Sequence, residues 1–391
     1  MKKIILYTSL ISLGWLAIIY PRMLVPPLLP FIKNEFNITY TEVSLLMSAY
    51  LFSYGIMQLP SGLLCDKYGY KYLMIFSMLG SSITSFLTSF LYSFTDILLI
   101  RFVAGLLSGA WYTSSTLFLL SNLSSSELGY GLGLSFNGSS LANILIYATL
   151  YLLASYVEKW RFLFLLASFP GLINAFLILA LIKKHNSTNS ETKREFSYKP
   201  VFKFINKKIL FILLLNSVVS FSMWGTQTYI PSYLILEKEL NPDYVYALLM
   251  MQSIASIFGN ISVGYMINKL GINISLLIIL ITSNLSLFSI QFIDVNWLLA
   301  LLLFVSSFFG NWFICMSLLI SDAAPSNLKG TFLGLFNTIT FFMGTISSPL
   351  FGYVLDFGGF RWFFMIFFLL FIASIIVYGF LIKLDAPTRP T

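Results

Sequence analysis

Ionisable side chains are what this sequence has least of. Of 391 residues, 23 are Lys or Arg, 15 are Asp or Glu and one is His, so 10% carry formal charge, against about a quarter in a soluble protein. So few charges cannot cover two or three soluble domains of this total length. Cysteine is nearly absent as well: Cys65 and Cys315 form no pattern of paired spacings, which excludes a disulfide framework and a thiolate metal site. With His185 as the one histidine, a histidine-based metal site and a catalytic triad are excluded too. No metal and no cofactor is expected. What is present is apolar: 58% of the residues are hydrophobic and 17% aromatic, so the solvent of this chain is the lipid bilayer.

A membrane-crossing helix takes about 20 apolar residues, so the length leaves room for roughly a dozen spans and no sizeable extramembrane domain. Apolar stretches lie at 4–32, 41–64, 72–92, 96–120, 130–155, 161–182, 208–235, 244–267, 274–292, 297–321, 330–355 and 362–382. The fold expected is an all-α integral membrane protein of twelve transmembrane helices in two six-helix repeats. Residues 1–182 form an N-terminal six-helix bundle, 183–208 a polar cytoplasmic linker, and 209–391 a C-terminal six-helix bundle. Met1-Lys2-Lys3 before an apolar run has the look of a signal peptide, but the run continues through Pro21, Pro26, Pro27 and Pro30 without a small-x-small cleavage site. It reads as a retained first helix.

The net charge of +8 follows topology. With a cytoplasmic N-terminus, the inner side carries Lys2, Lys3, Lys67, Lys71, the eight basic residues of 183–208, Lys269, Lys329, Lys383 and Arg389. The outer side carries Lys33, Lys159, Arg161, Lys238 and Arg361. That asymmetry is the positive-inside pattern, and an even number of spans puts both termini in the cytoplasm. No nucleic-acid partner is expected, and the location expected is the plasma membrane.

The halves repeat each other at an offset of 200 to 202 residues. Pro30 corresponds to Pro231, Gly62 and Gly69 to Gly264 and Gly271, Gly109-x-Trp111 to Gly310-x-Trp312, Gly133 to Gly334, and Arg161 to Arg361. A parallel repeat places a substrate site at the repeat interface near mid-membrane, worked by rocking one half against the other.

The turn between the second and third spans reads Gly62-Leu63-Leu64-Cys65-Asp66-Lys67-Tyr68-Gly69-Tyr70-Lys71. It resembles the loop signature G-x-L-x-D-[RK]-x-G-[RK]-[RK] of the major facilitator superfamily, departing only at Tyr70. A weaker copy, Gly264-Tyr265-Met266-Ile267-Asn268-Lys269-Leu270-Gly271, follows at the repeat offset. Glycine at 69 permits a turn with positive φ. The resemblance implies that Gly62, Asp66, Lys67, Gly69 and Lys71 form a gate, charged in the first half alone because Asn268 replaces the acid. Arg101 and Gly105 match part of that superfamily's R-x-x-Q-G motif, with Ala104 in place of glutamine. Arg101 either ties helices together through carbonyls or has a coupling role. The fifth span lacks the Gly-Pro signature of drug and proton antiporters.

Arg22 lies deep in the first span, where an unpaired cation costs several kcal/mol, and no acid of the sequence falls at that depth. A substrate anion would supply the missing charge, and the planar fork of Arg suits a carboxylate. The competing reading is an arginine satisfied by backbone carbonyls that Pro21 and Pro26 set free. Arg22-x7-Pro30 is similar to the first helix of the anion:cation symporters and of the organophosphate:phosphate antiporters. Tyr54-x3-Gln58-x-Pro60-x-Gly62 is similar to the second helix of the symporters. Met223 stands where the antiporters have a second arginine, which favours a singly charged ligand.

Tyr50, Tyr54 and Gln58 recur every four residues and share a helix face. Trp224, Gln227 and Tyr229 cluster in the seventh span, and Asn311 lies in the tenth. With Arg22 these are the candidate substrate-binding residues. Helix-to-helix contact is the alternative for each. The function expected is a secondary transporter, monomeric and without enzymatic activity, moving a small organic anion such as a carboxylate or sugar acid by alternating access. The alternative within the family is a carrier of neutral or cationic solutes, including drug export. A membrane-embedded enzyme is disfavoured, because no span carries paired acids, clustered histidines or a Ser/His pair.

Overall fold

The computed structural model describes residues 2–153, 160–182, 204–325 and 328–385, and among these there are helices and turns but no strand. Eight helices are long and apolar enough to cross a membrane. The last, Thr331–Lys383, has 53 residues, or about 80 Å at 1.5 Å per residue, enough for two crossings. It is interrupted at Gly359, whose φ of 65° and ψ of −169° are not helical. Helices Tyr40–Tyr68, Tyr70–Thr88 and Ser125–Leu152 fall on the second, third and fifth expected spans, which completes the twelve.

Several spans are broken, and the breaks follow the sequence. The first is α1 (Lys2–Met23) followed by α2 (Val25–Phe36). Pro26 and Pro27 have no N–H to give to the carbonyls of Arg22 and Met23 four residues earlier, so the helical ladder lapses there. The second and third spans are α3 (Tyr40–Tyr68) and α4 (Tyr70–Thr88). The fourth is α5 (Phe94–Ser108) and α6 (Ala110–Asn122), divided at Gly109. The fifth and sixth are α7 (Ser125–Leu152) and α8 (Trp160–Leu181). The seventh is α9 (Lys207–Ser232), which continues past Pro231 as a π turn over Tyr233–Glu237. There follow α10 (Pro242–Leu270) and α11 (Ile272–Ser289). The tenth span is α12 (Asn296–Phe308) and α13 (Trp312–Ala323), divided around Gly310. The last described helix is α14 (Lys329–Asp385).

Helix starts are written into the sequence. Thr39 and Glu42 form a capping box ahead of α3: the Thr39 hydroxyl accepts from the Glu42 N–H at 3.2 Å, and the Glu42 carboxylate accepts from the Thr39 N–H at 2.8 Å. Ser124 and Glu127 repeat the device ahead of α7. The repeat also appears in backbone geometry. Gly69 has φ 81° and ψ 152° and Gly271 has φ 82° and ψ 162°, a region that is essentially closed to residues with a Cβ.

Contacts divide the chain into two compact units, residues 1–193 with 228–250 and residues 194–227 with 251–391. In the first, α1 packs on α7 and α8, α3 on α5, and α4 on α8 and α5. The approach is close because small residues lie at the crossings. A Cβ on Gly105 would lie 2.1 Å from the Tyr50 carbonyl and 2.2 Å from the Ser53 hydroxyl. Polar side chains join the same helices: the Asn174 amide donates to the Leu10 carbonyl at 2.9 Å and the Ser85 hydroxyl to the Phe164 carbonyl at 2.8 Å. In the second unit α11 packs on α12, α13 and α14. There the Asn216 amide donates to the Phe336 carbonyl and the Thr340 hydroxyl, both at 3.1 Å. The expected linker 183–208 lies outside the described residues up to position 203.

Candidate functional site

The break between α1 and α2 supplies the first site residue. Arg22 is in the last turn of α1, is buried at 7% exposure, and has its guanidinium carbon 5.6 Å from the centre of the Tyr54 ring. Tyr54 stacks on Tyr50, one turn away on α3, with ring centres 6.0 Å apart and planes at 17°. Arg101 of α5 has its guanidinium carbon 4.6 Å from the centre of the Tyr50 ring. Arg22, Tyr54, Tyr50 and Arg101 thus form one chain of contacts, two adjacent rings with a cation at each end, each end a cation–π contact.

The two arginines are held differently. Arg101, 2% exposed, donates from Nη1 to the Pro21 carbonyl at 3.0 Å, from Nε to the Leu46 carbonyl at 3.4 Å and from Nη2 to the Arg22 carbonyl at 3.5 Å. The Arg22 carbonyl is the one that Pro26 deprives of a helical donor. Arg101 therefore serves the freed Arg22 carbonyl together with that of Pro21 and ties α1, α3 and α5 together, while the Arg22 side chain lies on the Tyr54 ring.

Gln58, one turn beyond Tyr54, donates to the Gly109 carbonyl at 3.1 Å, and the Ser61 and Thr113 hydroxyls are hydrogen-bonded at 2.7 Å. These bonds hold α6 alongside α3 just past the Gly109 break and bring in residues that sequence reasoning missed. Trp15, two turns before Arg22 on the same face of α1, packs edge-on against Tyr112 of α6 at 6.2 Å and at a 35° tilt against Phe136 of α7 at 5.4 Å. The seven-residue spacing of Trp15 and Arg22 is the one sequence signal that could have found it. Along the same half of α1 runs a groove of about 440 Å³ against α7, with Thr8, Ser9 and Ser12 among its lining and Leu13, Leu16 and Leu134 as apolar walls.

The expected residues of the seventh and tenth spans lie in other surroundings. Tyr229 is buried, with its hydroxyl donating to the Tyr40 carbonyl at 3.1 Å and its ring packed edge-on to Tyr40 at 6.1 Å. Tyr40 is the first residue of α3, ten positions and about 15 Å along the helix from Tyr50, so Tyr229 is placed away from the stack. The reason is a hydroxyl engaged at the helix start, with Lys33 covering the Tyr40 ring at 4.8 Å. Trp224 packs on Phe341 with ring centres 6.0 Å apart, and Gln227 is exposed. Asn311, at the break between α12 and α13, exchanges hydrogen bonds with Ser256, accepting from its hydroxyl and donating to its carbonyl, each at 3.4 Å.

At the expected gate, the Gly69 N–H bonds the Cys65 carbonyl at 2.7 Å, and Lys67 lies 5.0 Å from the Tyr68 ring. Lys71 donates to the carbonyls of Leu179, at 3.0 Å, and Ile182. These end α8, where carbonyls lack helical donors and a cation is favoured. Gly62 has open space where a Cβ would point. The Asp66 side chain lies outside the described residues. At the far ends of α2 and α8, Arg161 and Glu35 form a 2.7 Å ion pair. There the Trp160 indole also donates to Glu35 at 2.6 Å, and Arg161 lies 4.5 Å from the Tyr92 ring and 4.3 Å from the Trp160 ring. Sequence reasoning had counted Arg161 as an outer-side charge and as the counterpart of Arg361, and had not paired it with Glu35. Both cysteines are buried, and they are not joined in a disulfide. No three His, Cys, Asp or Glu side chains among the described residues gather to hold a metal ion.

The sequence profile of the Major Facilitator Superfamily matches residues 11–349. A cis,cis-muconate transport protein of Acinetobacter baylyi is 25% identical over 253 residues, which are 61% of this chain and 60% of that protein. A sialic acid transporter of Escherichia coli is 25% identical over 338 residues, 82% of this chain and 81% of that protein. Among solved structures, the nucleoside transporter NupG superposes with a TM-score of 0.79 at 12% identity, covering 97% of this chain and 99% of its own. That likeness extends to the fold.

Proposed function

This chain belongs to the Major Facilitator Superfamily, and we propose that within it the chain moves a small organic anion, a carboxylate or sugar acid, by alternating access. It is a membrane transporter and not an enzyme, with a small molecule as substrate. The observation that carries the anion reading is Arg22, a cation buried in a broken mid-membrane helix and laid on the Tyr54 ring. In a water-poor site its fork offers two parallel donors to a carboxylate, and the Tyr54 ring leaves one guanidinium face covered. Gln58 steadies that wall through the Gly109 carbonyl, and Trp15 with Tyr112 forms an apolar floor for the uncharged part of the ligand. The names of the muconate and sialic acid carriers, both substrates being carboxylates, support the same class.

The remaining assignments rest on the same reading. Trp224 and Asn311 are contributors from the second half, and Gly62, Asp66, Lys67, Gly69 and Lys71 are the gate, with Lys71 acting on the end of α8. The carrier works as a monomer in the cytoplasmic membrane with both termini inside, as the basic residues are distributed. Counterflow in proteoliposomes tests the reading. Purified protein should exchange at least one labelled member of a panel of monocarboxylates, dicarboxylates and sugar acids without product formation. Exchange confined to neutral sugars or to nucleosides, the latter the solute class of its fold relative NupG, would put the neutral-solute reading first.

A further inference from the structure

We propose that the first unit holds one buried water molecule between Tyr50 and Arg101, on the Arg101 side of the tyrosine stack. The space there is a cavity of about 10 Å³, the smallest size that admits a single water. Its walls include Tyr50, Arg101 and four hydroxyl side chains of α4: Ser81, Thr84, Ser85 and Thr88.

Hydrogen-bond accounting identifies the occupant. Tyr50 is 1% exposed, and its hydroxyl meets no partner among the described residues, a state that is costly for a buried donor. Each of the four α4 hydroxyls gives its hydrogen to a backbone carbonyl: Ser81 to Ala17 at 3.2 Å, Thr84 to Gly80 at 2.7 Å, Ser85 to Phe164 at 2.8 Å and Thr88 to Thr84 at 2.8 Å. Their oxygens therefore have lone pairs to offer and no hydrogens. Arg101 commits three N–H groups to carbonyls, and a guanidinium has five. The cavity thus presents donors from Tyr50 and Arg101 and acceptors from α4. A metal cation would face the Arg101 charge, and an anion would face four acceptor oxygens. Water accepts from the first wall and donates to the second, and it fits the volume.

The second repeat gives a contrast. At an offset of 201, the counterparts of Tyr50, Thr84 and Arg101 are Met251, Leu285 and Leu302, while those of Ser81, Ser85 and Thr88 are Thr282, Ser286 and Ser289. The second half thus keeps three of the hydroxyls, and the donors Tyr50 and Arg101 are a property of the first half alone. The water anchors the Tyr50 hydroxyl, and with it the ring that contacts both Arg101 and Tyr54. This assignment does not depend on which solute is carried.

A dry cavity and a hydrated one respond oppositely to losing the hydroxyl. If the site is dry, Tyr50→Phe removes an unsatisfied polar group and leaves the apparent melting temperature unchanged or raised. With water bound, Tyr50→Phe lowers it by about 2–4 °C. Thr84→Val, which keeps the side-chain shape, then lowers it as well, and the double variant falls by little more than the larger single effect. A neutral or stabilising Tyr50→Phe, or strict additivity of the pair, overturns the proposal. Should either variant fail to fold, a density map of the unaltered protein that resolves ordered solvent decides the matter. A peak bonded to Tyr50 and to an α4 hydroxyl supports the water. An empty cavity, or a peak replaced by bromide on exchange of chloride salts, refutes it.

Discussion

Two buried arginines share one aromatic stack and are expected to fail in different ways. Arg101 holds three carbonyls of α1 and α3 and covers Tyr50, so Arg101→Met removes interhelical bonds each worth about 0.6 kcal/mol in membrane proteins, together with a desolvated cation–π contact of about 2 kcal/mol. A loss of about 2–4 kcal/mol is predicted, read as lower melting temperature and expression. Folded protein that survives should bind ligand within about threefold of the unaltered chain. A large affinity loss at unchanged stability would show that Arg101 touches the ligand. Glu35→Gln, at a pair that is 13% and 35% exposed, should cost only about 0.5–1 kcal/mol, and the cost should shrink in high salt. At this scale the sequence was informative where residues are local. The four-residue spacing of Tyr50, Tyr54 and Gln58 put them on one face, and the depth of Arg22 followed from counting. It could not tell that Arg101 would take the Arg22 carbonyl that Pro26 frees, because Arg101 reaches it across 79 positions. Nor could it show that Tyr229 would be engaged at Tyr40, 189 positions away.

Glycines distinguish the elements that need a special backbone from those that need space. Gly69 and Gly271 end their helices at φ near 81–82°, so alanine at either should cost about 1–3 kcal/mol through strain alone. Gly62 and Gly264 belong to the same motif copies, yet a Cβ there meets nothing within 4 Å. Alanine at those two positions should be neutral or stabilising by up to about 1 kcal/mol, the difference in helix propensity. Comparing the four melting temperatures checks both statements, and equal losses at all four would contradict them. Gly105→Ala belongs to the second kind. Its Cβ would strike the Tyr50 carbonyl at 2.1 Å, and pushing α3 from α5 should cost about 1–3 kcal/mol. The twelve helices were legible because each apolar run has the length that a bilayer demands. The positive φ of Gly69 was legible because the turn is tight. Breaks at Leu24, Gly109 and Gly310 were marked only by proline or glycine. The partners of the broken ends, such as Gln58 on Gly109, are tertiary choices without a local signal.

For the molecule as a whole, the scarcity of ionisable groups bears on energy coupling. No Asp, Glu or His falls in the middle of an apolar span, so the usual carriers of a coupled proton are missing. Facilitated diffusion or substrate exchange is therefore expected. Concentrative uptake driven by an imposed pH gradient, persisting when the substrate is fully ionised, would contradict this. The central claim, that the carried solute is an anion held by Arg22, is tested most directly by ligand-induced thermal stabilisation of purified Arg22→Gln and Arg22→Lys beside the unaltered protein, because that shift reports affinity whatever the starting stability. Loss of a buried charge partner costs about 2–5 kcal/mol, and 1.4 kcal/mol is tenfold. The glutamine variant should thus bind the carboxylate at least about 30-fold more weakly, with lysine keeping a reduced remnant of affinity. A correctly folded Arg22→Gln protein with an unchanged dissociation constant would contradict the account.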